Sequence, residues 1–309
     1  MNPVIQLRGL TKRFETIEAV SDLSFDIAEG ELFGLVGPDG AGKTTTLRML
    51  AGVLRPSAGE ATMNGIEVSK DPEGIKSEIA YMSQRFGLYT DLTVMENIEF
   101  YADLYRVPRS ERRERLDRLF EFSGLRPFQS RLAGKLSGGM KQKLGLSCAL
   151  IHMPKILLLD EPTFGVDPVS RRELWLIVHE MVDEGVTVIA STSYLDEAER
   201  FDRVAMLHEG LLIALDTPSA LVDGFSGELI TIRVSDVRRA REIASSLPSV
   251  QRALIFGNRL HATVGSRLRD AAGVERALVE GGLGPVTIES GEPSLEDVFV
   301  QKIALAEAR

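Results

Sequence analysis

Leu23, Phe25 and Ile27 alternate with polar neighbours, Glu29-Gly30 offers a turn, and Leu32–Val36 resumes as an apolar run. Alternation marks a half-buried strand and a continuous apolar run marks a buried one, so this stretch predicts a hairpin feeding a buried strand that ends in glycines. Thr93-Val-Met-Glu96 has capping-box spacing and opens a helix that continues to Tyr105. A second helix follows from Ser110. Its Glu111/Arg115 and Glu114/Arg118 pairs stand in the favourable i,i+4 order, which reads as a solvated face. Residues 144–151 look helical and 156–159 look like a buried strand. Residues 186–190 and 203–207 read as two further strands, with a crossover helix around Trp175 before them. Strands alternating with helices predict an α/β fold around a mostly parallel sheet.

After about Asp223 the pattern changes. Residues 229–234 alternate as a strand, 236–247 are helix-like, 250–256 and 259–264 read as a hairpin around Gly257-Asn258, 268–281 are helix-like and 285–289 form a last strand. That βαββαβ order predicts a small ferredoxin-like α+β domain. Ser294-x-x-Asp297 then caps a terminal helix.

Composition narrows the functional classes. The 309 residues carry 36 basic and 45 acidic side chains, a net −9 that argues against a nucleic-acid grip built on neutralising phosphates. A single cysteine, Cys148 in an apolar run, excludes an internal disulfide framework or a Cys-based metal cluster and fits a reducing compartment. No stretch approaches the ~20 apolar residues of a membrane span, and the start MNPVIQLRGLTKRF has polar breaks where a signal peptide would be apolar. The expectation is a soluble chain that reaches a membrane only through a partner.

Three motifs carry chemistry. Gly37-Pro38-Asp39-Gly40-Ala41-Gly42-Lys43-Thr44 fits G-x-x-x-x-G-K-[ST], directly after the strand Leu32–Val36 and before the helical run 45–50. Glycines let several N–H groups curl toward one anion, the helix N-terminus adds positive potential, Lys43 can reach β- and γ-phosphates and Thr44 can bind Mg2+. Next, residues 156–159 deliver Asp160 and Glu161 at a strand's carboxyl end, where ligands of parallel α/β sheets bind; Asp160 suits a Mg2+ shell and Glu161 an attacking water. Leu136-Ser137-Gly138-Gly139-Met140 is a second cradle of small residues at a helix start.

With these residues in view, the sequence resembles an ABC transporter ATP-binding subunit. The phosphate loop, Gln84, the signature Ser137, Gly138 and Gly139, the carboxylates Asp160 and Glu161, and Asp167 in Gly165-Val-Asp-Pro168 occur in that family's order. The resemblance implies a P-loop, RecA-like cassette over residues 1–222, with an N-terminal antiparallel β-subdomain and a helical signature subdomain over about 88–150. Residues 227–309 resemble the accessory domain of drug and cation exporter ATPases, and Pro293-Ser-Leu-Glu-Asp-Val-Phe299 is similar to their closing segment. The motifs look most like the first cassette of tandem-cassette multidrug exporter ATPases, here expected to stand alone.

The resemblance also assigns roles. Phe14 would stack on adenine, or else be a packed strand-end aromatic, and Val20 would pack beside the base. The loop Gly37, Pro38, Asp39, Gly40, Ala41, Gly42, Lys43, Thr44 and Thr45 would hold ATP, with Thr44, Gln84 and Asp160 toward Mg2+. Glu161, Gln84 and Lys43 would serve catalysis, and Ser137, Gly138 and Gly139 would meet the ATP of a partner chain. Residues 86–96, with Phe86, Leu88 and Tyr89, would face a membrane subunit or else form a buried loop. One position departs: the family's switch histidine should follow Ser191-Thr192, but residue 193 is serine, which with Asp196 also reads as a helix cap.

The expected function is therefore an ATP-hydrolysing export motor, cytoplasmic and peripheral to the inner membrane. It would dimerise head to tail with a copy of itself or a different cassette and work a separate transmembrane permease. A regulatory cassette with little hydrolysis at its own site is the alternative that Ser193 keeps open. A soluble cassette ATPase acting on nucleic acid or ribosomes would show a coiled-coil insertion, a basic surface or a second cassette, and the sequence has none of these.

Overall fold

Two long strands, β1 (Pro3–Phe14) and β2 (Ile17–Ala28), open the chain and pair antiparallel in the computed structural model, which describes residues 3–84 and 87–307. β3 (Leu32–Val36), α1 (Lys43–Leu50), β4 (Ala58–Met63), β5 (Ile66–Glu67), α2 (Pro72–Lys76) and β6 (Ile79–Met82) follow. Next come three helices, α3 (Val94–Leu104), α4 (Arg109–Ser123) and α5 (Gly138–Leu150). β7 (Ile156–Asp160), α6 (Pro168–Asp183), β8 (Thr187–Thr192), α7 (Leu195–Ala198), β9 (Arg203–His208) and β10 (Leu211–Asp216) then alternate. By contacts the chain divides into two units, Met1–Pro218 and Ser219–Arg309.

In the first unit, β2-β1-β4-β5 form an antiparallel sheet, and a six-stranded sheet has the order β10-β9-β3-β8-β7-β6. In the second sheet only the edge strand β10 runs antiparallel, to β9. The expected hairpin at Glu29-Gly30 is overturned, because that turn joins two different sheets. β2 spends its hydrogen bonds on β1, while β3 is buried on both faces and takes β8 and β9 as parallel neighbours. Ile5, Leu7, Leu23, Phe25 and Ile27 from the first sheet share one core with Phe33, Leu35, Leu158, Ile189 and Leu207 from the second, and so fix the two sheets to each other.

The helix signals are realised closely. Thr93 caps α3 in a full capping box with Glu96, and α5 starts earlier than its apolar run implies, at a cap made by Ser137 Oγ to the Met140 N–H. On α4, Arg115 pairs with Glu111 as the spacing predicts, but Arg118 pairs with Glu184 instead of Glu114. The long guanidinium reaches the end of α6 and joins two helices instead of decorating one.

The second unit follows α8 (Pro218–Asp223) with β11 (Glu228–Arg233), α9 (Val237–Ser245), β12 (Val250–Phe256), β13 (Arg259–Val264), α10 (Arg267–Glu280), β14 (Thr287–Gly291) and α11 (Leu295–Glu307). Its antiparallel sheet has the order β12-β13-β11-β14, the ferredoxin-like arrangement. Ala240, Ala244, Val274 and Leu278 of α9 and α10 pack on Ile230, Ile232, Leu260 and Ala262. His261 alternates to the other face, where its Nδ1 lies 3.2 Å from Asp297 of α11. The last strand starts two residues later than the sequence suggests, and the Ser294–Asp297 cap forms as expected.

Candidate active site

The carboxyl ends of β3, β6 and β7 open onto one cleft of about 620 Å3, and the loop after each supplies part of its lining. Its walls include residues 39–45, Gln84, Glu161 and residues 17–19. β3 runs into the glycine loop, which turns into α1 at Gly42 with φ 99°. A Cβ there would sit 2.6 Å from the Ala19 carbonyl oxygen, so the close approach requires glycine. No side chain caps α1, so its first-turn N–H groups and dipole are left for an anion. Another cavity, of about 520 Å3, opens beside the start of β8 between Leu119, Phe122, Met153 and the Arg118–Glu184 pair. It brings no phosphate-binding loop with it.

Lys43 is nearly fully buried, and its ammonium donates to the carbonyls of Gly37 (2.7 Å) and Pro38 (3.0 Å) and to Ser193 Oγ (2.8 Å). Glu161 Oε1 lies 3.1 Å from the same nitrogen. Three neutral acceptors and one carboxylate surround the amine and aim it across the loop.

β7 delivers two carboxylates with different surroundings. Asp160 Oδ1 accepts from Thr44 Oγ1 and Ser191 Oγ, both at 2.9 Å, and Oδ2 lies 3.3 Å from the Tyr81 hydroxyl. Burial and the neighbouring Asp160 charge push the Tyr81 phenol up to about 12, so it stays a donor. Glu161 adopts φ 48°, a left-handed conformation rare for a non-glycine residue, and its N–H is held by Ser191 Oγ at 2.9 Å. Its side chain is aimed from two sides, by Gln84 Nε2 at 3.1 Å and Ser193 Oγ at 2.7 Å.

The helix-cap reading of Ser193 is overturned. Tyr194 occupies the N-cap position of α7 with no side-chain cap, and the Ser193 hydroxyl points into the cleft, accepting from Lys43 and donating to Glu161 with Asp39 Oδ1 3.3 Å away. Val20 is also placed differently from expectation. It is fully buried beside Gly42, because β2 turns that side chain into the core, and Ile17, Glu18 and Ala19 line the cleft instead. Phe14 ends β1 and is 45% exposed, with the Lys12 ammonium 5.0 Å from its ring centroid.

Ser137 and Gly138 lie exposed at the start of α5, away from the lining of this cleft, while Gly139 is buried against Ser170 of α6. Asp167 caps α6 through the Ser170 N–H at 3.0 Å. In the segment expected to face a membrane subunit, Tyr89 is exposed and stacks edge-on with Phe100, and Phe86 lies outside the described residues. Sequence reasoning missed Tyr81 and Ser191, which complete the shell of Asp160, and Glu197, which anchors three segments around the site. Each is an ordinary polar residue whose partners are far away in the chain, so only the fold reveals it.

The residues present fit a magnesium nucleotide. A glycine cradle too tight for a Cβ and a buried lysine suit the phosphates, and a hydroxyl–carboxylate pair, Thr44 and Asp160, offers the oxygen donors Mg2+ takes alongside substrate phosphates.

A profile for the family described as ABC transporter matches residues 20–164. The chain is 46% identical over 301 residues to the probable multidrug ABC transporter ATP-binding protein YbhF of Escherichia coli strain K12, covering 96% of this chain and 51% of that protein. It therefore spans about half the length of that relative. It is 33% identical over 300 residues to the daunorubicin/doxorubicin resistance ATP-binding protein DrrA of Streptomyces peucetius, covering 96% and 91% of the two chains. Among solved structures it resembles the dimeric post-hydrolysis state of the ATP-binding cassette MJ0796 bound to ADP and Pi, with TM-score 0.63, 26% identity and coverage of 69% and 98%.

Proposed function

Because the chain belongs to the ABC transporter ATP-binding family, we propose that it is the ATP-hydrolysing motor subunit of an exporter, with residues 1–222 as the cassette and 227–309 as an accessory domain. The observation that carries this reading is the meeting of the glycine loop with the end of β7 in two close pairs, Thr44 with Asp160 at 2.9 Å and Lys43 with Glu161 at 3.1 Å. Lys43 and the α1 N–H groups bind the β- and γ-phosphates, while Thr44, Asp160 and Gln84 would hold Mg2+. That ion, when bound, supplies neutralisation of charge developing on the phosphate oxygens. Glu161, aimed by Gln84 and Ser193, orients the attacking water and accepts its proton.

The head-to-tail dimer belongs to the same proposal: Ser137, Gly138 and Gly139 of one chain would close over the ATP held by the other. The partner is either a second copy or a different cassette. Among the described residues no helix is long and apolar enough to cross a membrane, and we assign attachment to a transmembrane permease through residues 87–96. The peripheral cytoplasmic location follows from that attachment. The multidrug transporter and daunorubicin/doxorubicin resistance roles of the two relatives support an exported organic cargo.

Calorimetry tests the nucleotide site. Replacing Lys43 by alanine removes a charge-assisted hydrogen bond, for a loss of about 1.5 to 3 kcal/mol in ATP binding, or roughly 10- to 100-fold in affinity. Unchanged affinity would remove Lys43 from the phosphate site.

A further inference from the structure

Glu197 of α7 is a buried carboxylate that the phosphate chemistry above does not use. Burying such a charge is costly unless donors surround it. Oε1 accepts from Thr163 Oγ1 at 2.7 Å and Trp175 Nε1 at 3.1 Å, and Oε2 accepts from Thr192 Oγ1 at 2.7 Å. The Arg171 guanidinium supplies the countercharge, with Nε 3.6 Å from Oε1, and it also lies over the Tyr194 ring, 4.3 Å from the centroid.

The three donors come from three segments. Thr163 stands two residues after Glu161, Thr192 immediately precedes Ser193, and Trp175 sits on α6, the helix that Asp167 caps. Thr192 Oγ1 also accepts the Tyr194 N–H at 3.0 Å, so the backbone is clamped on both sides of Ser193. Glu161 holds a strained left-handed backbone, and such strain persists only where the surroundings over-determine it. A bond to Thr163, two residues on, is one of those constraints.

Building on the assignment of this cleft as an ATPase centre, we propose that Glu197 is a positioning residue for hydrolysis. It makes the segments bearing Glu161 and Ser193 move as one body with α6, and Trp175 reports the state of that anchor. Glu197 touches none of the reacting atoms itself. Its effect runs through the aim of Glu161 and Ser193, so it separates turnover from binding.

The substitution Glu197→Gln keeps the shape but places an NH2 where one donor needs an acceptor. Three measurements on the full chain test the idea: Mg-ATP binding by calorimetry, steady-state phosphate release, and emission of Trp175, the chain's one tryptophan. In the wild type, Mg-ATP should change Trp175 emission saturably. In Glu197→Gln, ATP affinity should stay within about twofold, turnover should fall roughly 10- to 100-fold as expected for misplaced catalytic groups, and the emission response should be lost. Thr163→Val and Thr192→Val each remove one donor and keep the carboxylate; either should reproduce the split, even if Glu197→Gln does not fold. A parallel loss of affinity and turnover in these variants, unchanged turnover, or a wild-type Trp175 that ignores Mg-ATP while calorimetry shows binding would overturn the positioning role. No calorimetric binding by the wild type would instead overturn the ATPase assignment beneath it.

Discussion

Ser193 Oγ lies 2.7 Å from Glu161 Oε1, and the same hydroxyl accepts from Lys43 Nζ at 2.8 Å. One short side chain thus bridges the group proposed to bind phosphate and the group proposed to prepare water. The resemblance to ABC cassettes implies a histidine here, whose imidazole reaches further into the cleft and offers a donor to the transition state. Losing one such donor typically costs ~10²- to 10³-fold in rate. Turnover by the isolated chain should therefore be slow, and Ser193→His or addition of a matching cassette with the histidine should raise it. Ser193→Ala should lower turnover further, with ATP affinity held within about twofold, because Glu161 loses one of its two aiming partners. ATPase assays of the three proteins check this; identical rates would take position 193 out of catalysis.

Neighbouring glycines of the signature should behave in opposite ways. A Cβ on Gly139 would fall 2.3 Å from both Cβ and Oγ of Ser170, whereas the nearest atom to one on Gly138 is the Gly165 carbonyl oxygen at 4.0 Å. Gly139→Ala should cost about 1–3 kcal/mol by overpacking α5 against α6. Gly138→Ala should leave the unfolding midpoint unchanged or slightly raised, since alanine favours a helix. If that face closes over a partner's ATP, Gly138→Ala should still reduce ATPase activity at high protein concentration. Denaturant melts paired with concentration-dependent rates distinguish the two effects.

Alkaline pH should loosen the first unit through its half-buried phenols. Tyr81 and Tyr101 are both pushed up to about 12 from the ordinary 10.0, chiefly by burial, with Asp160 adding to the effect at Tyr81. A proton held more tightly in the folded state stabilises it fully below pH 10, and that contribution drains away as pH rises toward 12. Urea midpoints measured across this window should fall steeply for the wild type and less steeply for Tyr81→Phe combined with Tyr101→Phe. Equal slopes would mean that other groups govern the alkaline loss.

Much of the site was legible in the chain because its parts are local. The glycine loop needs only a strand before it and a helix after it, and both are written in residues 32–50. Asp160 and Glu161 end an apolar run too short for anything but a buried strand. Relationships across the fold were not legible. The Glu29-Gly30 turn looks like a hairpin because sequence cannot show that β3 has both edges taken by β8 and β9. The resemblance places Val20 beside the base, whereas the inward and outward positions of β2 depend on a register set by β1. Ser193 reads as a cap because Lys43 lies 150 positions away. Glu197 reads as one more acidic residue on a short helix until Thr163, Trp175 and Thr192 are brought around it.

Phosphate release at saturating Mg-ATP, compared between the wild type and Glu161→Gln, tests the ATPase assignment most directly. The substitution keeps the shape of the side chain and its neighbours Gln84 and Ser193 but removes the carboxylate proposed to accept the proton. The wild type should release phosphate slowly but measurably, and Glu161→Gln should lose roughly 10²-fold or more while binding ATP at least as well, as expected for removal of a general base. Equal rates in the two proteins, or no ATP-dependent phosphate release from the wild type even with a matching cassette present, would contradict it.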